Sequence, residues 1–263
     1  MNTNSNVYTV VYTTVIVVIV AAVLAFVAGK LGPAQDANAK AETLRQMMSA
    51  AGVKPTEELY STKNAGILQL YADNIENAYT IGLDGSKNGT LSISKDNIEL
   101  VDRLKPQNKA IKDGGREATL PVYVFKSGIT VIPVYGAGLW GPIWGYVAFE
   151  PDCRTIAGAY FDHESETPGL GAKIKDEPWF REKFRGRKVH FGGEPLFNLS
   201  KNAEASGADN AVDAITGATM TSKGLNEAVN VWFKAYEKHL SSQGAASVQP
   251  AEDSARPTNA EEE

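Results

Sequence analysis

The sequence predicts an α+β fold in which a single amino-terminal transmembrane helix precedes a soluble domain built on an antiparallel sheet with flanking helices. Three observations support this prediction. An uncharged apolar run opens the chain, short apolar segments separated by turn residues fill its middle, and apolar residues at spacings of three and four follow near its end. These patterns indicate the membrane helix, the sheet and a long amphipathic helix, respectively.

Composition limits the classes of function open to the chain. Its 263 residues, of which 43% are hydrophobic, can bury one good-sized core or two small ones. A net charge of −5 without a basic stretch argues against nucleic-acid binding. Cys153 is the only cysteine, so an intrachain disulfide is excluded, and a lone cysteine is usually a small buried hydrophobe. His163, His190 and His239 are scattered, so no metal site is predicted.

Residues 1–30 predict a membrane anchor that lies in lipid. No charged residue occurs from Val7 to Ala28, and these 22 residues as a helix span the roughly 30 Å of a bilayer's apolar core. A cleaved signal peptide is the alternative. Such a peptide has a basic start and an apolar run of about 7–15 residues, whereas residues 1–9 contain no Lys or Arg. A retained anchor is therefore favoured.

The charge pattern does not decide on which side of the membrane the soluble domain lies. The first basic residues, Lys30, Lys40 and Arg45, follow the span, and the positive-inside rule alone would place the soluble domain in the cytoplasm. Asp36 and Glu42 are interleaved with them, and long domains can override the rule.

Residues 31–115 predict a membrane-proximal helix and the first α/β part of the soluble domain. Glycine and polar residues punctuate this stretch, and Gly52 is the expected helix stop. The predicted elements are a linker at residues 31–37, a helix at 38–51, strand-like pieces at 67–80 and 90–100, and a loop at 113–118.

Residues 116–240 predict the functional domain, beginning with a meander of four strands. Ser127-Gly128 and Pro151-Asp152 are typical turn residues between strands. The predicted elements are strands at residues 120–125, 129–135, 146–150 and 155–161, a helix at 177–184, and a short strand at 188–191.

A short hydroxyl-rich segment, residues 213–222, precedes the long amphipathic helix. It opens with Asp213, and Thr221 and Ser222 are expected to cap the helix. A turn here would deliver a hydroxyl to the positive end of a helix, where an anion is stabilised. The alternative is simply a capped turn. Residues 241–263 have no apolar periodicity and predict a disordered acidic tail.

Two glycine-rich loops interrupt the strand region. We name residues 135–144 the first glycine loop and residues 163–172 the second. Glycines allow a flat cofactor to approach the backbone, and Trp140, Trp144 and Leu170 offer apolar surface for its rings. Alternatively, the glycines mark turns and the tryptophans fill the core. Glu164 and Glu166 lie two apart, which on extended chain places both on one face, but capping of loop backbone is favoured over acid–base chemistry.

Taken together, these three segments resemble the FMN-binding domain family. Residues 213–219 read Asp-x-x-Thr-Gly-Ala-Thr, which is similar to the family's flavinylation motif, and the sequences Glu-Thr-Pro-Gly-Leu-Gly and Gly-Leu-Trp-Gly-Pro-Ile-Trp-Gly in the loops are also similar. In that family the last threonine of the motif carries FMN through a phosphoester, which here implies Thr219. The resemblance further implies that a separate flavin transferase reads the motif, including Asp213.

The resemblance is greatest to the C subunits of Na⁺-translocating NADH:quinone reductases (Nqr), with the G subunits of Rnf electron-transport complexes as the alternative. It implies an electron carrier with covalent FMN that assembles with the rest of a bacterial inner-membrane complex. NADH would reduce ubiquinone, with Na⁺ export, and the domain would lie on the periplasmic side. The alternative from another class is a membrane-anchored scaffold without a cofactor.

The resemblance and the loop arguments together give a set of FMN-binding residues and no catalytic residue. Lys173 is included as a partner for the phosphate charge, although a surface lysine is the alternative. The predicted residues are Thr219, Asp213, Thr216, Gly217, Ala218, Thr221, Gly138, Leu139, Trp140, Glu166, Thr167, Gly169, Leu170, Gly171 and Lys173.

Overall fold

The computed structural model describes residues 6–101, 103–115 and 118–247. The chain divides into two compact units, Met1–Thr43 and Leu44–Glu263. The first helix, α1 (Asn6–Ala50), makes up the described part of the first unit and continues into the second. The predicted class, a long apolar helix followed by an antiparallel sheet with flanking helices, is confirmed.

In the first unit α1 has the character of a membrane span. Within the described residues it is the one helix long and apolar enough to cross a membrane. Its apolar side chains are exposed, as at Val7 and Phe26. The hydroxyls of Thr13 and Thr14 donate 2.8 Å hydrogen bonds to carbonyls one turn earlier in the helix, so these polar groups are satisfied without water.

The predicted linker at residues 31–37 is wrong, because α1 runs through it with Pro33 inside the helix. Helix propagation adds a hydrogen bond for each residue fixed, so two strongly helical stretches carry a short weak one between them. The predicted stop is confirmed: Gly52 has φ +66°, and the Val53 amide donates to the Met48 carbonyl over 3.0 Å.

The second unit is organised on a six-stranded antiparallel sheet with strand order β2-β1-β3-β4-β5-β6. The predicted meander is confirmed as its last four strands. The strands are β1 (Ile75–Ile81), β2 (Lys87–Thr90), β3 (Leu120–Phe125), β4 (Thr130–Ala137), β5 (Pro142–Phe149) and β6 (Ile156–His163).

The start of β5 differs from the sequence prediction by four residues, which shortens the first glycine loop. Pro142 pairs with Ala137 and Gly145 with Val134, so most of this glycine-rich sequence is strand. Gly145 is needed because a Cβ there would collide with the Tyr160 carbonyl on β6. Residues 138–141 remain as a tight turn, closed by a 2.8 Å hydrogen bond from the Gly138 amide to the Gly141 carbonyl.

Five shorter helices and one further strand pair surround the sheet. Three 6–11-residue helices precede β3, and two shorter ones follow β6. The helices are α2 (Thr56–Ser61), α3 (Asn64–Asn74), α4 (Leu104–Lys112), α5 (Lys173–Asp176) and α6 (Pro178–Glu182), and the parallel pair is β7 (Asn198–Ser200) with β8 (Ala211–Asp213).

The predicted elements before residue 115 are confirmed only in part: of the strand-like piece at 67–80, residues 75–80 belong to β1. Residues 67–74 belong to α3 because Ile67 and Tyr71, one turn apart, are its buried side chains. Of residues 90–100, only Thr90 belongs to a strand, and Lys95–Asn97 form a short 3-10 helix; Ile98 is the one buried residue of the stretch. Further along the chain, the predicted strand at 188–191 is a single bridge between Thr155 and Lys188.

The long helix α7 (Thr219–Ser247) packs its apolar face on the sheet. Trp232, Phe233 and Tyr236 are fully buried, and each contributes about 2–3 kcal/mol to folding. The Trp232 indole N–H donates to the Tyr135 carbonyl over 2.9 Å. Gly136 permits the close approach, since a Cβ there would lie 2.6 Å from the Ala228 Cβ. The start of α7 is therefore fixed against the end of β4.

The predicted disordered tail begins too early, because α7 continues through residues 241–247. Leu240 is fully buried, and Gly244 is buried where a Cβ would collide with the Asp152 carbonyl. A glycine thus lets the helix pass close to the β5–β6 turn despite the loss of apolar periodicity. Residues 248–263 lie outside the described part of the chain.

Candidate cofactor site

Three connections of the second unit converge at the amino-terminal end of α7. The first is the turn between β4 and β5, residues 138–141. The second is the loop after β6, residues 164–172, which ends at α5. The third is the turn between β8 and α7, residues 214–218. Each is held by regular elements on both sides, so the site rests on a rigid frame.

The carboxylate of Glu166, in the second connection, joins the first connection to the first turn of α7. Its Oε1 accepts a 3.0 Å hydrogen bond from the Trp140 amide, and its Oε2 accepts a 2.6 Å hydrogen bond from the Thr221 hydroxyl. The side chain is only 4% exposed. The backbone amide of Glu166 donates to His163 Nδ1 over 3.2 Å. The capping of loop backbone favoured for Glu166 agrees with the Trp140 contact.

Two glycines make room for this carboxylate. A Cβ at Gly138 would collide with Glu166 Oε1, and a Cβ at Gly171 would collide with Oε2 and lie 2.5 Å from the Thr221 hydroxyl. These positions require glycine for space rather than for backbone angles. The expectation that Glu164 and Glu166 share one face is wrong, because Glu164 is exposed while Glu166 is buried. The turn at residues 167–170 reverses the chain between them and α5.

The turn before α7 closes with its own backbone and one side chain. Gly217 has φ +82°, and the Ala218 amide donates to the Ile215 carbonyl over 3.1 Å. The Ser222 hydroxyl accepts from the Ile215 amide over 3.1 Å. The expected caps are therefore wrong: α7 begins at Thr219, which places Thr221 and Ser222 inside its first turn.

The three threonine hydroxyls in this segment differ sharply in access. Thr221 is 2% exposed and its hydroxyl is engaged by Glu166. Thr216 and Thr219 are exposed. Thr219 is also the first residue of α7, where free backbone N–H groups and the helix dipole favour a negative group. Of the predicted residues, Thr219 thus combines access with a favourable field.

Exposed apolar side chains lie on the first two connections and on the first turn of α7. Single exposed apolar residues are ordinary, but a group on adjoining segments indicates a binding surface. The sequence prediction omits Met220, although its position directly after Thr219 is an available signal. We call this group the apolar rim: Leu139, Trp140, Leu170 and Met220, which are 50%, 65%, 44% and 56% exposed.

Other predicted residues have supporting or separate positions. Trp144 lies in β5 and donates its indole N–H to Gln46 Oε1 over 3.2 Å, so it is not part of the apolar rim. The Thr167 carbonyl accepts from the Leu170 amide over 3.1 Å, and Gly169, at φ +74°, shapes this turn. Asp213 Oδ1 accepts from the Glu204 amide over 2.9 Å, which ties the start of the motif to the chain before β8.

Burial shifts the pKa values of three other titratable groups, Cys153, His239 and Tyr135. Burial raises the pKa of the Cys153 thiol, which fits a packing role. Burial lowers the pKa of His239, which contacts the Tyr79 hydroxyl over 2.9 Å. Burial and then nearby Glu164 raise the pKa of Tyr135. Within residues 6–101, 103–115 and 118–247, no group of three or more His, Cys, Asp or Glu side chains is arranged to hold a metal.

The site fits a flat, apolar, anionic cofactor, since it joins an exposed apolar rim to a hydroxyl at a helix start. Its class follows from comparison with known proteins: the sequence profile of the FMN-binding domain matches residues 138–234, which contain the apolar rim and Thr219. The fold and the site together define an FMN-binding domain.

Relatives of known name identify the family. The C subunit of the Na⁺-translocating NADH-quinone reductase of Vibrio parahaemolyticus is 30% identical over 225 residues, covering 80% of this chain and 84% of that relative. The chain belongs to the family formed by the C subunits of Na⁺-translocating NADH-quinone reductases. The Neisseria meningitidis serogroup A relative is 36% identical over 137 residues, covering 50% and 52%, so that match spans about half of the relative's length.

Solved structures support the same family. The C subunit of the Na⁺-translocating NADH-quinone reductase from Parabacteroides distasonis superposes with a TM-score of 0.63 at 29% identity, covering 78% of this chain and 94% of that chain. The Shewanella oneidensis NqrC protein superposes with a TM-score of 0.61 at 27% identity, covering 78% and 97%. These matches favour the Nqr family over the Rnf alternative.

Proposed function

We propose that this chain carries FMN covalently on Thr219 and passes electrons within a membrane Na⁺-translocating NADH:quinone reductase. The observation that carries the proposal is the division among the threonines: Thr219 is exposed at the start of α7, whereas Thr221 is buried and bonded to Glu166. A phosphoester needs a free hydroxyl, and the anion it creates is stabilised at a helix amino terminus.

The apolar rim is the proposed contact surface for the isoalloxazine ring. Leu139, Trp140 and Leu170 stand exposed, and a flat ring would cover them. We call residues 213–219 the acceptor segment. The Glu166 hydrogen bonds fix the backbone of the first connection, which carries Leu139 and Trp140, relative to the start of α7, which follows the acceptor segment. The phosphoester lies at the far end of the ribityl chain from the ring, so it tethers the ring without changing its electronics.

The proposed attachment is a phosphoryl transfer in which no atom changes its oxidation state. The Thr219 hydroxyl oxygen bonds to the phosphorus of an activated flavin nucleotide, the phosphoanhydride bond to the leaving group breaks, and the hydroxyl proton passes to a base. We assign that base to a separate flavin transferase that reads the motif from Asp213 to Thr219.

Bound FMN would accept and release electrons one at a time between other subunits of the complex. In the proposed complex NADH and a proton reduce quinone to quinol, the two electrons pass through this chain singly, and Na⁺ is exported by the whole assembly. This chain contributes the tether, the apolar contact surface and the frame behind them. Its partners are the other subunits, with lipid around α1.

We place the soluble domain on the periplasmic side of the bacterial inner membrane, as the family implies and against the charge pattern near α1. An alkaline phosphatase fused at the carboxyl terminus should be active, because that enzyme folds only outside the cytoplasm. Activity confined to a cytoplasmic reporter at the same position would overturn this placement.

The attachment is tested with the full chain co-expressed with a flavin transferase. Flavin fluorescence should stay with the wild-type chain in a denaturing gel and be absent from Thr219→Ala. Thr219→Ser should retain it, since the chemistry needs a hydroxyl and not a methyl group. A wild-type chain without flavin in this gel would support the scaffold alternative instead.

A further inference from the structure

A cavity of about 290 Å³ opens beside the acceptor segment and brings three of the predicted residues, Lys173, Asp213 and Thr216, together with lysines that the sequence prediction does not include. Its walls come from the start of α5, from α6, from the chain after β7, and from the residues between β8 and Thr216. We call it the lysine cavity. Its principal lining side chains are Lys173, Trp179, Lys183, Lys201, Asp213 and Thr216.

Positive charge prevails in the lysine cavity. Lys183 is paired with Glu204 at 3.1 Å, so its charge is compensated. Lys173 and Lys201 form no ion pair within the described part of the chain. Asp213 is the one lining carboxylate, and its Oδ1 is occupied by the Glu204 amide. The lining therefore includes two lysines, half-buried Lys173 and exposed Lys201, that have no ion-pair partner among the described residues, which favours binding of an anion.

The cavity adjoins the acceptor threonine through two connections. Thr216 lines the cavity, and only Gly217 and Ala218 separate it from Thr219. On the other side, the Lys173 amide donates to the Leu170 carbonyl over 3.2 Å, and the Leu170 side chain lies 3.2 Å from the Cβ position of Gly217. Lys173 is thus held by the same loop that meets the turn carrying Thr219.

We propose that the lysine cavity binds the phosphate group of the flavin nucleotide, with Lys173 and Lys201 pairing with its oxygens. This inference rests on the proposed attachment of FMN at Thr219. A phosphodiester keeps one negative charge at neutral pH, and an ammonium group binds it as a strong hydrogen-bond donor. The half-buried position of Lys173 reduces screening by solvent, and the ring of Trp179 forms part of the wall. Lys183 holds the wall in place through Glu204.

The same phosphate chemistry has two possible sources: the finished phosphodiester on Thr219, or a free phosphate that binds the cavity independently. Titration of inorganic phosphate into the full-length chain in detergent, followed by calorimetry, separates them. The chain is prepared without flavin, by expression without a transferase, and with flavin. We expect phosphate to bind the flavin-free chain and to bind the flavinylated chain at least about tenfold more weakly, because the phosphodiester fills the cavity.

The variants are the double change Lys173→Gln with Lys201→Gln, and the control Lys95→Gln, an exposed lysine in the connection between β2 and α4. In the flavin-free chain the double variant should bind phosphate at least about tenfold more weakly than the control, from the loss of two charge-assisted hydrogen bonds. Matching circular dichroism and melting temperatures in the three chains establish that each is folded.

Equal phosphate binding by the double variant and the control would overturn the cavity assignment. Equal binding by flavin-free and flavinylated chains would also overturn it, because the cavity would then be separate from the tether. A wild-type chain that never acquires covalent flavin contradicts the proposed function instead. The flavin-free titrations are independent of attachment, so the two failures are distinguishable.

Discussion

Two regions meet at the start of α7 and differ in how closed they are. Around Glu166 the chain is closed: the carboxylate is 4% exposed, two glycines give it room, and Thr221 and the Trp140 amide occupy its oxygens. Around Thr219 it is open, with an exposed hydroxyl and exposed apolar side chains. We call the first the closed region and the second the open region.

The difference teaches how adjacent threonines acquire separate roles. Thr219 and Thr221 both lie in the first turn of α7, so helix position alone favours an anion at either. Because the Thr221 hydroxyl is bonded to Glu166, we infer that Thr221 fixes the frame and does not carry the flavin. Changes in the closed region should therefore affect stability, and changes in the open region should affect the flavin.

The largest expected effect is loss of the carboxylate in the closed region. Glu166→Ala leaves the buried Thr221 hydroxyl and the Trp140 amide without their acceptor, so the free energy of unfolding should fall by about 3 kcal/mol. Glu164→Ala removes an exposed carboxylate two residues away and should change stability by less than about 0.5 kcal/mol. Urea denaturation of the full chain in detergent measures both. Similar losses in the two variants would remove the distinction between the regions.

The next effect separates the two threonines by an isosteric change. Thr221→Val should lower the free energy of unfolding by about 1.5 kcal/mol, because Glu166 Oε2 loses its donor. This variant should still acquire covalent flavin. Thr219→Val should keep its stability within about 0.5 kcal/mol and acquire none. Urea denaturation and flavin fluorescence on the same samples decide the matter, and a Thr221→Val chain that is stable but lacks flavin would reverse the roles.

A smaller effect is expected within the open region. Leu170→Ala uncovers part of the proposed ring surface, and water then stabilises the extra negative charge of the reduced flavin. Its midpoint potential should rise by roughly 30 mV, which for two electrons is about 1.4 kcal/mol, while attachment is unchanged. Leu31→Ala, which alters a similarly exposed leucine in the first unit, is the control. Equal potentials in both variants, measured by redox titration, would place the ring elsewhere.

How far the fold can be predicted from sequence depends on whether an element is fixed by local or by distant contacts. The meander from Leu120 to His163 is predictable because alternation and turn residues are local signals. Residues 67–74 are hard to recognise as a helix from sequence. Only two of their side chains, Ile67 and Tyr71, are buried, so the helical spacing of apolar residues is too short to stand out. The extension of β5 to Pro142 is hidden by glycines whose role is close strand approach.

The candidate site is partly predictable for related reasons. Composition and the family resemblance identify the residues of the two glycine loops and of the acceptor segment. The contact that organises them, between Glu166 and Thr221, joins residues 55 apart in sequence. No periodicity or capping rule reports such a pair, so the sequence alone suggests a capping role for Thr221. The lysine cavity likewise needs the fold, because Lys173 and Lys201 come from different elements.

The central claim is that the open region, at Thr219, carries the flavin. Trypsin cleavage after Lys201 and Lys223 gives one peptide, residues 202–223, that contains Thr216, Thr219 and Thr221. Fragmentation mass spectrometry of this peptide from the flavinylated full-length chain should place the FMN phosphoester on Thr219, and the peptide from Thr219→Ala should be unmodified. An adduct on Thr216 or Thr221 of the Thr219→Ala chain, in the amount found on the wild type, would contradict the account.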